Sequence, residues 1–196
     1  KQRKAIVWDV ERGAPNEIME DPGSPVACIG GWHYTTSVYE NNWYKSASDV
    51  AKLLIDIVSK NGNLLLSVPL RADGTFDEKE EKILNEFGEW MNINKEAIYS
   101  TRPWEVFGEG PIAEAILKSM HKDSTKEHKQ SYGTRDPFHP NQEGFICTVL
   151  AWPENGNVII KSLAADSKLF PQKIRKVELL GYGPVRFNRT AEGFPL

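Results

Sequence analysis

Between Ser46 and Asn61 the apolar positions Val50, Leu53, Leu54, Ile57 and Val58 recur at intervals of three and four, the period of a helix with one apolar face. Ser46 and Ser48 are its candidate caps, and Asp49 suits the positive end of the helix dipole. Asn61-Gly62 ends it, the glycine being expected in the left-handed conformation that a helix terminus needs. The run that follows, Asn63 to Leu70, carries Leu64, Leu65, Leu66 and Val68 without polar alternation, which predicts a parallel strand buried on both faces. Asp77 and Glu80 form a capping-box-like pair, and Ile83, Leu84, Phe87, Trp90 and Met91 give a second helix its inner face. Helix, buried strand and helix, leaving through an exit strand near Glu96–Trp104, predict α/β architecture. The pattern fits the closing unit of a (β/α)₈ barrel and an open doubly wound sheet equally well.

The flanking segments read differently. Ala5–Trp8 is a short β-prone run, and Asp9-Val10-Glu11-Arg12-Gly13 follows where a strand turns into a loop, the edge of a parallel sheet at which ligands bind. From Ala14 to Tyr44 the chain is rich in Pro, Gly, Asn and aromatic residues with little periodicity. A connection of that length is usually functional, and aromatic rings beside charged groups suit sugars, whose C–H faces stack while their hydroxyls take polar partners. Glu105–Pro111 reads as a linker, 112–120 as helix or strand, and Lys122–Gln142, with Pro137 and Pro140, as an exposed loop. Gly144–Trp152 and Asn157–Leu163 are β-rich runs joined by Pro153-Glu154-Asn155-Gly156, which predicts a hairpin. Two more strands, Ile174–Leu180 and Val185–Phe187, point to a β-sandwich that the sequence leaves incomplete. The expected organisation is residues 1–107 as the carboxyl-terminal part of a barrel and residues 108–196 as an all-β sandwich domain.

At 196 residues the chain is shorter than a whole barrel, which takes ~250. Its abrupt start on a core element suggests a piece of a longer protein. Net charge is −3 with both signs interspersed, so no basic field draws in nucleic acid or an anionic membrane. Cys28 and Cys147 are far apart and read as free thiols, and His121, His128 and His139 lack metal-ligand spacing. No apolar run reaches the ~20 residues that span a bilayer.

Six stretches carry a likeness to a known family: Trp8-Asp-Val-Glu-Arg-Gly13; Ile29-Gly-Gly-Trp-His-Tyr34; Leu54–Leu66 with its Ser-Lys-Asn-Gly-Asn-Leu-Leu-Leu; Asp73-Gly74; Gly88-Glu-Trp90; and Glu96-Ala-Ile-Tyr99 with Thr101-Arg-Pro-Trp104. In this order they resemble the retaining α-L-fucosidases of glycoside hydrolase family 29. The resemblance implies a (β/α)₈-like barrel followed by a β-sandwich, no cofactor and no metal, and a fucosylated oligosaccharide or glycoconjugate as partner. It implies two carboxylates, a nucleophile and an acid/base. The nucleophile aspartate is expected before Lys1, and Glu11 best matches the acid/base. Trp32 matches the aromatic that packs against fucose in relatives. His33 stands where glycine is commoner, and Ser67-Val68-Pro69 replaces the usual Asn-Ile-Gly-Pro. A periplasmic, extracellular or lysosomal location follows from the family only.

Each assignment has a plainer rival. Glu11 as acid/base competes with a loop carboxylate paired to Arg12 or Arg3, and Glu17, Glu20 and Asp21 are alternative acids on the same loop. Asp9 is ranked structural, because a retaining pair comes from separate strands with its carboxyl groups ~5 Å apart. Trp32 as a sugar platform competes with core packing, and His33 as a hydroxyl partner with a satisfied neighbour. Trp43, Tyr44, Trp90 and Trp104 are read as packing residues. The whole-chain alternative is a non-catalytic carbohydrate-binding sandwich module or an inactive glycosidase relative.

Overall fold

The computed structural model describes residues 7–11, 15, 17–110, 131–135, 144–151 and 156–195. The chain forms two compact units, Lys1–Ile98 and Tyr99–Leu196.

The first unit is built on three parallel strands in the order β1 (Trp8–Glu11), β2 (Gly23–Cys28), β3 (Leu65–Ser67), with Glu11 opposite Val26 and Cys28 opposite Ser67. The helices are α1 (Thr36–Asn41), α2 (Ala47–Ser59) and α3 (Glu78–Asn94), and a 3₁₀ turn, Lys95–Ala97, follows the last. Both predicted caps are present. The Ser46 side chain accepts the Asp49 N–H while the Asp49 carboxylate accepts the Ser46 N–H, and Asp77 and Glu80 do the same at α3. Each reciprocal pair satisfies donors that a helix start leaves orphaned.

Several expectations are corrected. Asp9–Glu11 is strand rather than loop. The long aromatic connection contains β2, hidden because Gly23 and Pro25 interrupt its β-prone run; Pro25 lacks the N–H that a central strand donates. Leu65 is 58% exposed, so β3 is not buried on both faces. At the end of α2 the left-handed residue is Asn61, at φ 68°. Gly62 is required by close approach instead, since a Cβ there would lie 2.7 Å from Ile57 Cγ2. The same corner ties α2 to β2: the N–H of Gly23 donates to the carbonyl of Asn61 at 3.2 Å, and that of Asn63 to Gly23 at 2.8 Å. Beside it the buried Lys60 ammonium pairs with Asp56 at 2.7 Å, one turn earlier. Val50, Ala51, Ile55 and Ile57 make the buried face of α2, while Leu53, Leu54 and Val58 are half-buried.

Among the described residues the second unit consists of short strands with one 3₁₀ turn, Lys161–Leu163. One sheet runs β4 (Arg102–Pro103), β5 (Ser131–Arg135), β6 (Phe145–Val149), antiparallel throughout. β7 (Ile159–Ile160) pairs with β10 (Phe194–Pro195), and β8 (Glu178–Leu179) with β9 (Gly183–Pro184). Among the described residues the predicted hairpin pairing is not present: β6 pairs with β5 and β7 with β10, while residues 152–155, which include most of its turn, lie outside the described residues. β5 lies in a stretch expected to be an exposed loop. The ambiguous 112–120 segment and His121, His128 and His139 are outside the described residues. Trp104 packs in the core of this unit with Val158, Ile160, Leu163 and Phe194, and its ring meets Phe145 edge-on at 4.7 Å. Trp104 and Val106 thus pack with the second compact unit, which begins at Tyr99. Glu109, expected in a linker, accepts the N–H groups of Lys161 and Ser162 at 2.6 and 2.9 Å. Arg189 donates to the carbonyls of Leu163, Phe170 and Gln172, which fastens separate loops to one guanidinium.

Candidate active site

Parallel strands put all their carboxyl ends on one edge of a sheet, and in α/β folds ligands bind there. Glu11 is the last residue of β1; Ile29-Gly30-Gly31-Trp32-His33 leaves the end of β2; Val68-Pro69 leaves the end of β3. Glu11, Trp32 and His33 thus belong to segments on a common edge. Trp32 is 53% exposed, and His33 is exposed as well. Asp9, Glu17 and Glu20 are also exposed, and Asp21 is half-buried.

The segment carrying Trp32 and His33 is tied at both ends. The Ile29 N–H donates to the Ser67 carbonyl at 3.1 Å, and the Lys45 N–H returns to the Ile29 carbonyl at 2.8 Å. The Lys45 ammonium donates to the Cys28 carbonyl at 2.9 Å, and the Cys28 thiol to the Gly30 carbonyl at 3.3 Å. Cys28 and Cys147 are both half-buried thiols. The result is a closed loop, with α1 inside it, standing on the carboxyl edge of the sheet.

This loop is fastened to the start of α3 through polar groups. The Tyr44 hydroxyl donates to Asp77 Oδ2 at 2.5 Å, while Asp77 Oδ1 accepts the N–H groups of Lys79 and Glu80 at 2.9 and 2.8 Å. Burial, and then the hydrogen bond to the Asp77 carboxylate, push the Tyr44 phenol well above its ordinary range, so it stays a donor. Tyr39 donates to Glu78, and the Lys79 ammonium lies 4.3 Å from the Tyr39 ring centroid while bonding its carbonyl. Arg71 donates to the second oxygen of Glu78 at 2.9 Å and lies 5.9 Å from the Tyr34 ring centroid. The hydrogen bond from Tyr39, followed by backbone and Arg71 donors, holds the Glu78 carboxyl at about 2. Glu80 is 1% exposed, and burial raises its carboxyl above the usual range. Gly31, His33, Tyr34, Thr35, Tyr44 and Glu80 are among the residues lining a small cleft under the loop.

The sequence reading had treated Tyr44 as packing and Asp77 as a cap. Their contact was not legible, because it joins positions 33 residues apart and neither spacing nor local pattern records it. Among the described residues no group of three or more His, Cys, Asp or Glu side chains is arranged to hold a metal ion. Nor is any helix among them long and apolar enough to cross a membrane.

A parallel βα sheet with an exposed indole at its carboxyl edge is the setting in which α/β folds take their ligands. Residues 2–96 match the family model for α-L-fucosidase, which identifies that portion of the chain with the family. It is 26% identical over 117 residues to an α-L-fucosidase of Branchiostoma floridae, a match covering 60% of this chain and 21% of the relative. It is 33% identical over 119 residues to the tissue α-L-fucosidase of Bos taurus, covering 56% and 25%. The chain thus spans about a quarter or less of the length of these relatives. The crystal structure of Thermotoga maritima α-fucosidase superposes with a TM-score of 0.67 at 22% identity, over 94% of this chain and 37% of that one, a likeness of fold.

Proposed function

We propose that this chain is the carboxyl-terminal portion of an exo-acting, retaining α-L-fucosidase that removes terminal α-L-fucosyl groups from oligosaccharides or glycoconjugates. In this reading the first unit closes a (β/α)₈-like barrel and the second belongs to a β-sandwich. The observation that carries the reading is the common edge: within the family-matched residues 2–96, the segments bearing Glu11, Trp32 and His33 leave the same ends of adjoining parallel strands.

Glu11 takes the acid/base role. It protonates the departing glycosidic oxygen in the first step and, as a carboxylate, accepts a proton from the attacking water in the second. A nucleophile aspartate, expected on an earlier strand of the whole protein, attacks the anomeric carbon in the first step as that oxygen leaves, and the water of the second step displaces it. Trp32 offers its exposed indole to the apolar face of the deoxysugar, and His33 is placed to hydrogen-bond a hydroxyl. No cofactor enters this chemistry. Nucleic acid and membrane are not partners in this reading, and the plasma and tissue forms among the relatives agree with action outside the cytosol.

The test uses the full-length protein with Glu11→Ala. Hydrolysis of a fucoside with a poor leaving group should fall by roughly 10²–10⁴, while azide, an anionic nucleophile that needs no base, restores turnover of an activated aryl fucoside by attacking the anomeric carbon of the glycosyl-enzyme and releasing a fucosyl azide. Full activity of the variant on natural fucosides would remove Glu11 from this role.

A further inference from the structure

We propose that Tyr44 is a positioning residue for the sugar platform: its hydroxyl, anchored on Asp77 at the head of α3, sets the seat of Gly30 and through it the place of Trp32. The proposal rests on the fucosidase reading only for the meaning of Trp32; the mechanical linkage stands on contacts within the first unit.

The linkage can be followed atom by atom. Asp77 has no exposed surface, and its Oδ1 is held by the N–H groups of Lys79 and Glu80. A carboxylate so placed cannot swing, because both donors are fixed by the first turn of α3 and the helix dipole favours its charge there. Its Oδ2 points at Tyr44, whose hydroxyl meets it at 2.5 Å. The Tyr44 ring is thereby set in height, and the backbone of Gly30 rests against it: a Cβ at Gly30 would lie 3.1 Å from both Cδ1 and Cε1 of the ring and 2.8 Å from Val38 Cγ1. Trp32 follows Gly30 by two residues on a loop whose ends are tied by the Lys45 N–H to Ile29 carbonyl bond of 2.8 Å. With the ends closed and Gly30 seated, little freedom is left in the residues between.

A phenylalanine at position 44 keeps the ring but removes the anchor and leaves a buried carboxylate oxygen without its donor. An asparagine at position 77 keeps the helix cap and turns an amide donor toward Tyr44. Tyr44→Phe releases the ring outright, and Asp77→Asn exchanges a charge-assisted bond for a weaker neutral one in the reverse direction, so in both the ring can ride up and carry the Gly30 segment with it. A platform that stacks on the sugar in ground and transition states alike contributes to binding more than to the chemical step. The signature is therefore a change in KM with kcat nearly kept.

The experiment uses the full-length enzyme with Tyr44→Phe, Asp77→Asn and, as reference, Trp32→Ala. Tyr44→Phe and Asp77→Asn should each raise KM for an aryl α-L-fucoside about tenfold with kcat within about twofold, in the direction of Trp32→Ala. In 5-fluorotryptophan-labelled protein the Trp32 fluorine resonance, assigned with Trp32→Phe, should shift or broaden in Tyr44→Phe while that of Trp104 stays in place. Gly30→Ala should disturb the same resonance from the other side of the contact, which keeps the test open if Tyr44→Phe does not fold. An unmoved Trp32 resonance in these variants, or unchanged KM in Tyr44→Phe beside a raised KM in Trp32→Ala, overturns the proposal. If Trp32→Ala itself leaves KM unchanged, the assignment of Trp32 as platform fails, and the fluorine spectra alone decide the linkage.

Discussion

Glu80 shows how a single buried carboxyl sets a pH dependence. Its side chain is 1% exposed, and burial, with the Asp77 charge adding to it, raises its carboxyl above the ordinary 4.5. The folded state then holds this proton more tightly than the unfolded chain does. Its contribution to stability is fully present below the ordinary glutamate range and is lost as pH rises through the raised value. Glu80→Gln keeps an acceptor for the Asp77 N–H and removes the titration. The variant should therefore gain Tm relative to the parent between pH 4 and 7, measured by thermal melts across about that range. Glu78 has the opposite sign. Held at about 2 by Tyr39 first and then backbone and Arg71 donors, it favours the fold above 4.5 and loses that effect as pH falls through about 2. Its side chain is exposed, so water screens the effect. The capping roles of Asp77 and Glu80 were legible three positions apart on one line of text. The bonds from Tyr44 to Asp77 and from Tyr39 to Glu78 were not, since those contacts form only once the loop after β2 has folded back.

At the scale of elements, α2 and α3 were readable because cap, apolar stripe and stop signal all lie within one continuous stretch. β2 was not, since Gly23 and Pro25 carry the marks of a turn and its strand character comes from pairing with β1 on one side and β3 on the other. β5 was hidden in the same way between two partners. β7 and β10 pair across more than thirty positions of chain, against the local hairpin that the turn residues suggested. The end of α2 offers a direct test. Gly62→Ala puts a methyl group 2.7 Å from Ile57 Cγ2 and 3.0 Å from the Ile57 carbonyl oxygen, while the backbone at this position needs no glycine for its φ. Overpacking of this kind costs about 1–3 kcal/mol, read as a lowered midpoint in urea. Asn61→Gly at the neighbouring left-handed position should be tolerated far better.

For the whole molecule, the family match covers the first unit and the fold likeness extends through most of the chain. The sequence motifs were dense before residue 105 and thin after it, because a fucosidase-type site depends on particular residues at strand ends whereas short antiparallel strands can be filled by many apolar choices. Under the proposed function the 196-residue chain on its own should release no fucose from an aryl fucoside, while the full-length protein does so, measured by released phenol at equal concentrations. Turnover by the short chain would show that its own carboxylates suffice and would displace the upstream nucleophile from the mechanism. The second unit makes do with strands as short as two residues, and Arg189 gathers the carbonyls of Leu163, Phe170 and Gln172 around one permanently charged fork. Many small β-rich modules tie such loops with cystine bridges; here the tie is a guanidinium, so reductant has nothing to cleave at that junction, and this cross-link holds in reducing and oxidising surroundings alike.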